Sequence, residues 1–244
     1  SGSGIDAFDG RILDTLRLPR ILRAIVIGGG LGLAGAVMQS LFRNPIADPG
    51  IIGVSASAAF GAVAMIVSGH ILLGSFYPTI ADDAQLRSLT FWQMGALAGN
   101  GPTDTPALII MVLGIAYLMS LGSPLNLFLL GEAEARHLGV EVEHLKRRAT
   151  VATALVVGAA VAVSGIIGFV GLVAPHLVRL VTGPDNRYVL PASAICGAIM
   201  LTGADAVARI IVLPAELPIG LVTGIIGGPF FLGLLMREKK RRRL

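Results

Sequence analysis

The chain has 244 residues, 54% of them hydrophobic and only 14% charged, with a formal net charge of +4 and a mean hydropathy of +0.80. That balance excludes an ordinary soluble domain, whose charged share is about 25%. An aromatic content of 5% leaves too few rings among the basic residues for a nucleic-acid surface. The lone Cys196 allows no disulfide within the chain and completes no metal motif, so in its apolar run it reads as packing.

Residues 1–4, Ser-Gly-Ser-Gly, read as a tag-like start, and no charged n-region with a short apolar core and cleavage site follows them. Residues 1–15 form a lead-in to the first apolar run. That run begins at Leu16-Arg17-Leu18-Pro19-Arg20, where a proline costs little because a first-turn amide lacks a helical partner anyway. Two readings stand for Arg17 and Arg20: they snorkel to headgroup phosphates, or they offer planar charged forks to carboxylates of an approaching protein.

Residues 24–42 carry no charge and contain Gly28, Gly32 and Gly35. Helices in lipid gain no hydrophobic drive from touching, so small residues at such spacing mark close packing. Gly30, Gly32 and Gly35 also match G-x-G-x-x-G, but no strand precedes them, and the nucleotide reading is rejected. Next, Arg43-Asn44-Pro45-Ile46-Ala47-Asp48-Pro49 breaks the helix. Asn44, Asp48, Ser55 and Ser57 can satisfy the backbone that the prolines free.

Further uncharged runs follow at 50–80, 105–130, 151–173, 188–204 and 217–236. A run of about 20 residues at ~1.5 Å rise spans the ~30 Å hydrocarbon layer, and so many runs describe a polytopic membrane protein. Between two of them lies the polar stretch 131–148, which reads as short helices with a glycine break. Ala133, Leu138, Val142 and Leu145 recur there at helical spacing among charges. Such a segment can lay an apolar stripe into a groove of a soluble partner or rest on the headgroups. Asp205 and Arg209 stand four apart near membrane depth, where ionisable groups mark a pathway or simply pair with each other. His176, beside Pro175, is a similar case.

Basic residues concentrate in Lys146-Arg147-Arg148 and in the tail 237–244. Placing both clusters in the cytosol, as the positive-inside bias requires, demands an even number of crossings between them. Only three long runs are obvious there. The fourth is the short segment 169–183, broken by Pro175, which has to face protein because a broken helix cannot present free backbone to lipid. The expectation is an all-α fold with about seven crossings, near ~20–43, ~50–75, ~104–130, ~150–168, ~169–183, ~188–210 and ~215–236, alternating inward and outward from an inward first span. No catalytic triad, zinc set or Walker loop is present, and a channel or ion-coupled carrier would want more ionisable residues along its spans.

The blocks LRLPRILRAIVIGGGLGLAGAVMQSLFRNPIADPGIIGVSASAAFGA, LRSLTFWQMGALAG, LNLFLLGEAEARHLGV, SGIIGFVGLVAPHLVRLVTG and ADAVARIIVLPAELPIGLVTGIIGGPFFLGLL occur in that order. Together they resemble the FecCD-type permease subunits of bacterial ABC importers for haem, iron-siderophores and cobalamin, over most of residues 16–235. The resemblance implies a transmembrane permease domain at 16–236 in the bacterial inner membrane, acting as a homodimer without chemistry or cofactor of its own. Two cytoplasmic ATPase subunits would hold ATP and Mg, and a periplasmic binding protein would deliver haem or a ferric siderophore, with cobalamin as the alternative. Residue by residue, Gly131, Glu132, Ala135, Arg136, Leu138 and Gly139 match the helices that couple to the ATPase. Arg17 and Arg20 match the arginines that pair with glutamates of the binding protein, and Arg209 looks similar in role. The family usually has ten spans, and this shortened chain lacks the first and a pair that belongs near residues 67–76, so a non-transporting variant is a further reading.

Overall fold

A computed structural model describes residues 18–50, 93–97, 105–211 and 217–241. Eight helices are seen among them: α1 (Leu18–Leu41), α2 (Thr105–Ser120), α3 (Gly122–Leu129), α4 (Glu132–His137), α5 (Val142–Ser164), α6 (Val170–Thr182), α7 (Asn186–Ile210) and α8 (Ile219–Arg241). Helices α1, α5, α7 and α8 are each long and apolar enough to cross a membrane, and α2 with α3 passes the same test when the pair, bent by 47°, is taken together. The expected span near ~50–75 lies outside the described residues. The chain is thus an all-helical, multi-pass membrane protein.

Pairings along α1 give every direction. Ser40, near the end of α1, bonds Asn186 at the start of α7, and Arg20 at the other end meets Asp205, so α1 and α7 are antiparallel. Between those ends the backbones touch: a Cβ on Gly28 would collide with the Gly197 carbonyl, and one on Gly32 with that of Ser193. Two stacked apolar clusters form the core. One joins Leu33–Leu41 of α1 to Leu118, Phe128, Leu145 and Val156. The other joins Ala24–Ala34 to Met111, Val157, Val161 and Leu201. Helix α2 therefore runs with α1, and α5 runs against both.

Helices α6 and α8 descend together. The Ile219 and Gly220 amides donate to the Gly95 and Met94 carbonyls at 3.0 Å. Further along, Gly227 lies against the Phe169 ring, and Phe230 meets His176 edge-on at 5.4 Å between centroids. The alternation expected from the basic residues holds for every described span, and Lys146 to Arg148 and the last turn of α8 fall at one end of the bundle.

Three boundaries and faces differ from expectation. Helix α5 begins at Val142 rather than near 150, because Lys146, Arg147 and Arg148 are good helix formers at the membrane surface and do not interrupt it. Helix α6 has 13 residues, about 20 Å, and faces protein only in part. Val170 to Pro175 are buried, whereas Leu177, Leu180 and Val181 are exposed, since over its second half α1 and α7 cover only the face that carries Val178 and Arg179. The break before α6 turns through Phe169, a non-glycine residue at φ 68°.

Pro175 has no amide for the Gly171 carbonyl one turn earlier. Gln39, buried in α1, supplies it: its Nε2 donates to the Gly171 carbonyl at 3.5 Å and to that of Leu172 at 3.2 Å. Expected partners at the 43–50 joint are also found, with Asn44 accepting from the Ile46 amide at 3.0 Å and Asp48 from Gly50 at 2.7 Å. Ser55 and Ser57 lie outside the described residues.

Candidate functional site

At the basic end, the six-residue α4 sits between two glycines that have positive φ, Gly131 at 135° and Gly139 at 85°. A side chain at either position would strain the backbone, so the turns that aim α4 depend on glycine. Ala135 is fully buried, and its carbonyl accepts from the Val140 amide at 2.9 Å, which pins the helix to the bundle. Ion pairs hold its charged face. Lys146 Nζ stands 2.9 Å from Glu132 and 3.6 Å from Glu143, and Arg136 lies 3.9 Å from Glu132 and 3.7 Å from Glu143. Under them, Phe128 carries Arg43 and Lys146 over its ring at 5.5 and 5.9 Å, a cation–π floor.

The apolar stripe expected here splits in two. Val142 and Leu145 are buried in the chain's own core, because α5 continues straight out of the bundle and turns them inward. Ala133 and Leu138 stay exposed beside Glu134, Arg136 and His137. The apolar side chains left exposed at this end are therefore Ala133 and Leu138, without Val142 and Leu145.

The hydrogen bond and charge of Lys146 hold the Glu132 carboxyl below the usual carboxylate range. A carboxyl with a depressed folded-state pKa adds stability that is fully present above its ordinary value and is lost as pH falls through the lowered one. Neutralising Glu132 in acid should therefore loosen α4, and Glu132→Gln, which mimics the protonated carboxyl, should show faster tryptic cleavage after Arg136 than wild type at neutral pH, where the wild-type carboxylate is charged.

Beneath this platform lies a polar network that sequence reasoning missed. Arg179 donates to Ser40 Oγ at 2.7 Å and to the Ala36 carbonyl at 3.3 Å. The Asn186 amide donates to Asn126 Oδ1 at 2.7 Å, and Asn126 in turn donates to Asp185. Asp185 caps α7 by accepting from the Arg187 amide at 2.9 Å. Asn126 first, then that amide, lowers the Asp185 pKa. The Pro-Asp-Asn sequence before α7 was the available signal, being an N-cap pattern. Nothing in the uncharged run 105–130 marked Asn126.

At the opposite end, Arg20 grips Asp205 Oδ1 with Nε at 3.0 Å and Nη2 at 2.9 Å. Arg209 reaches Oδ2 at 3.2 Å. The i,i+4 pairing expected of Asp205 and Arg209 is present, joined by Arg20, so the two arginines assigned outward share one buried carboxylate. Arg17 lies outside the described residues. Gly28, Gly32 and Gly35 all lie at helix crossings, Gly35 against the Gly171 backbone, and Cys196 packs against the core.

The family model described as the FecCD transport family matches residues 2–82 and 71–237. The hemin transport system permease protein HmuU of Yersinia pestis is 38% identical over 282 residues, covering 93% of this chain and 84% of that protein. The vitamin B12 import system permease protein BtuC of Vibrio cholerae is 37% identical over 273 residues, covering 91% and 82%. Both matched lengths exceed the 244 residues present, so the relatives contain residues without counterpart here, and the two family segments meet at 71–82, beside the join expected near 67–76. A solved structure described as an inward-facing conformation of a metal-chelate type ABC transporter superposes with a TM-score of 0.84 at 32% identity, covering 96% of this chain and 90% of that one. With nearly the whole chain matched in sequence and in helix arrangement, this protein belongs to the FecCD transport family.

Proposed function

We propose that the chain is the permease subunit of an ATP-driven importer in the bacterial inner membrane. It would work as a homodimer above two cytoplasmic ATPase subunits that bind ATP and Mg, and receive its substrate from a periplasmic binding protein. The observation that carries this reading is α4, a short helix clamped by Lys146 and Arg136 ion pairs to the base of a spanning helix. A push on such an element reaches α5 directly. Nucleotide-dependent closure of the ATPases would then favour one of two arrangements of the spans. Glu132, Arg136, Leu138 and Gly139 form the coupling surface, and the buried Gly131 and Ala135 set its position from beneath. Arg17, with the one-third-exposed side chain of Arg209, forms the docking surface for carboxylates of the binding protein. Arg20 serves it from behind, through Asp205.

The substrate is an iron chelate, haem or a ferric siderophore. Cobalamin is the second reading, favoured by relatives of nearly equal identity, 38% for a hemin permease and 37% for a vitamin B12 permease. Uptake into proteoliposomes containing the co-purified ATPase tests both. ATP-dependent, vanadate-sensitive accumulation of haem over cobalamin is expected, and the reverse preference moves the assignment. Changing Glu132 and Arg136 together to Ala should reduce uptake about 10-fold or more while binding-protein capture persists, a loss of ~1.4 kcal/mol in coupling. Undiminished uptake would remove α4 from the mechanism, uptake without ATPase would point to a channel, and dimerisation without flux would mark a non-transporting variant.

A further inference from the structure

A groove of about 540 Å³ runs between α2 and α5 on the outer face of the bundle. Its walls are Ile110, Leu113, Val151 and Leu155, and Arg147 and Arg148 stand at one mouth. Helices α2 and α5 are antiparallel here, with Gly114 against Val156, so the floor is tight while the rim side chains splay. Leu113 and Leu155 remain 65% and 56% exposed, as lipid-facing residues do. From Arg148 to Leu155 the groove extends about 10 Å along the helix axis, the depth of the first part of an acyl chain. Tyr117 also lines it, and a tyrosine suits the boundary between headgroups and hydrocarbon.

We infer that this groove binds an anionic glycerophospholipid of the cytoplasmic leaflet, its phosphate on Arg147 and Arg148 and one acyl chain against Leu113, Val151 and Leu155. Charge complementarity selects that occupant. Lys146 is spent on Glu132 and Glu143, whereas among the described residues Arg147 and Arg148 have no carboxylate partner. They stand at the basic end of the bundle, where the positive-inside bias places the leaflet that carries anionic lipid. Basic pockets between spanning helices are the usual place for such headgroups. The site lies one helical turn from the α4 clamp, so an occupied groove would brace the part of α5 that receives the coupling helix.

Native mass spectrometry of the full chain in detergent, titrated with phosphatidylglycerol or phosphatidylcholine, tests the assignment. Phosphatidylglycerol adducts should form preferentially. Each basic residue near an anionic headgroup strengthens attraction about 5-fold, so Arg147→Gln with Arg148→Gln should weaken binding roughly 30-fold. Leu155→Trp should block the groove with both arginines in place. All three positions are exposed, and unchanged elution and thermal transition would confirm folding. Equal binding by the double Gln variant overturns the proposal, as does displacement of phosphatidylglycerol by free glycerol phosphate. Efficient disulfide formation between two Val151→Cys copies in membranes would place a second chain on the groove and overturn it too.

Discussion

Gly32→Leu is expected to abolish recovery of a monodisperse protein from membranes, and Gly35→Leu to do the same. At Gly32 the first added carbon already falls inside the Ser193 carbonyl, and at Gly35 inside that of Gly171. Both obstacles are backbone, which cannot rotate away as a side chain can. Ordinary overpacking of a core costs about 1–3 kcal/mol, and here α1 has to separate from α6 or α7 along its length. Few contacts substitute for that loss, because helices in lipid are held by close approach rather than by hydrophobic drive. Gly158→Ala and Gly203→Ala are the controls. Neither added carbon meets anything within 4 Å, and alanine favours helix by up to ~1 kcal/mol over glycine. Size-exclusion profiles and thermal transitions in detergent should separate the two groups, and a well-folded Gly32→Leu protein would refute the packing account.

What could be read in advance follows from what each signal measures. Uncharged length finds spans, because lipid penalises any charge along them, and α1, α5, α7 and α8 were legible for that reason. The short α6 was found by charge alternation, since its length alone fails the test. Glycine spacing marked one side of the α1–α7 crossing but not its partner. Gly197 and Gly203 share their run at no G-x-x-x-G spacing, and only the structure shows Gly197 pressed against the Gly28 carbonyl. At 133–145 the short helices with a glycine break were legible and are α4 and α5, but periodicity misled about their faces, because the stripe was taken as one surface although Val142 and Leu145 turn into the core. Polar contacts between distant segments were least visible. Gln39 replaces an amide that Pro175 lacks, but the two are 136 positions apart in the numbering, and no local pattern links them.

Asp205→Ala is expected to destabilise the protein by about 3–5 kcal/mol, the range for removing one partner of a buried ion pair. The Asp205 side chain is only 2% exposed and that of Arg20 16%, so the removed carboxylate would leave two guanidinium groups side by side with little water to screen them. Arg209, at 33% exposure, can turn toward solvent, and Arg209→Met should cost far less, about 1 kcal/mol. Replacing all three residues with Met, Leu and Met should bring stability back close to wild type, because a well-packed apolar set often equals a buried charge cluster. That triple variant separates architecture from recognition. If the arginines serve the binding protein, it should fold normally in thermal unfolding yet capture the binding protein at least 10-fold more weakly, and the salt dependence of capture should flatten as the charges disappear. Capture at wild-type strength and salt sensitivity would assign Arg20, Asp205 and Arg209 to holding α1 against α7, and leave docking to residues elsewhere on that face.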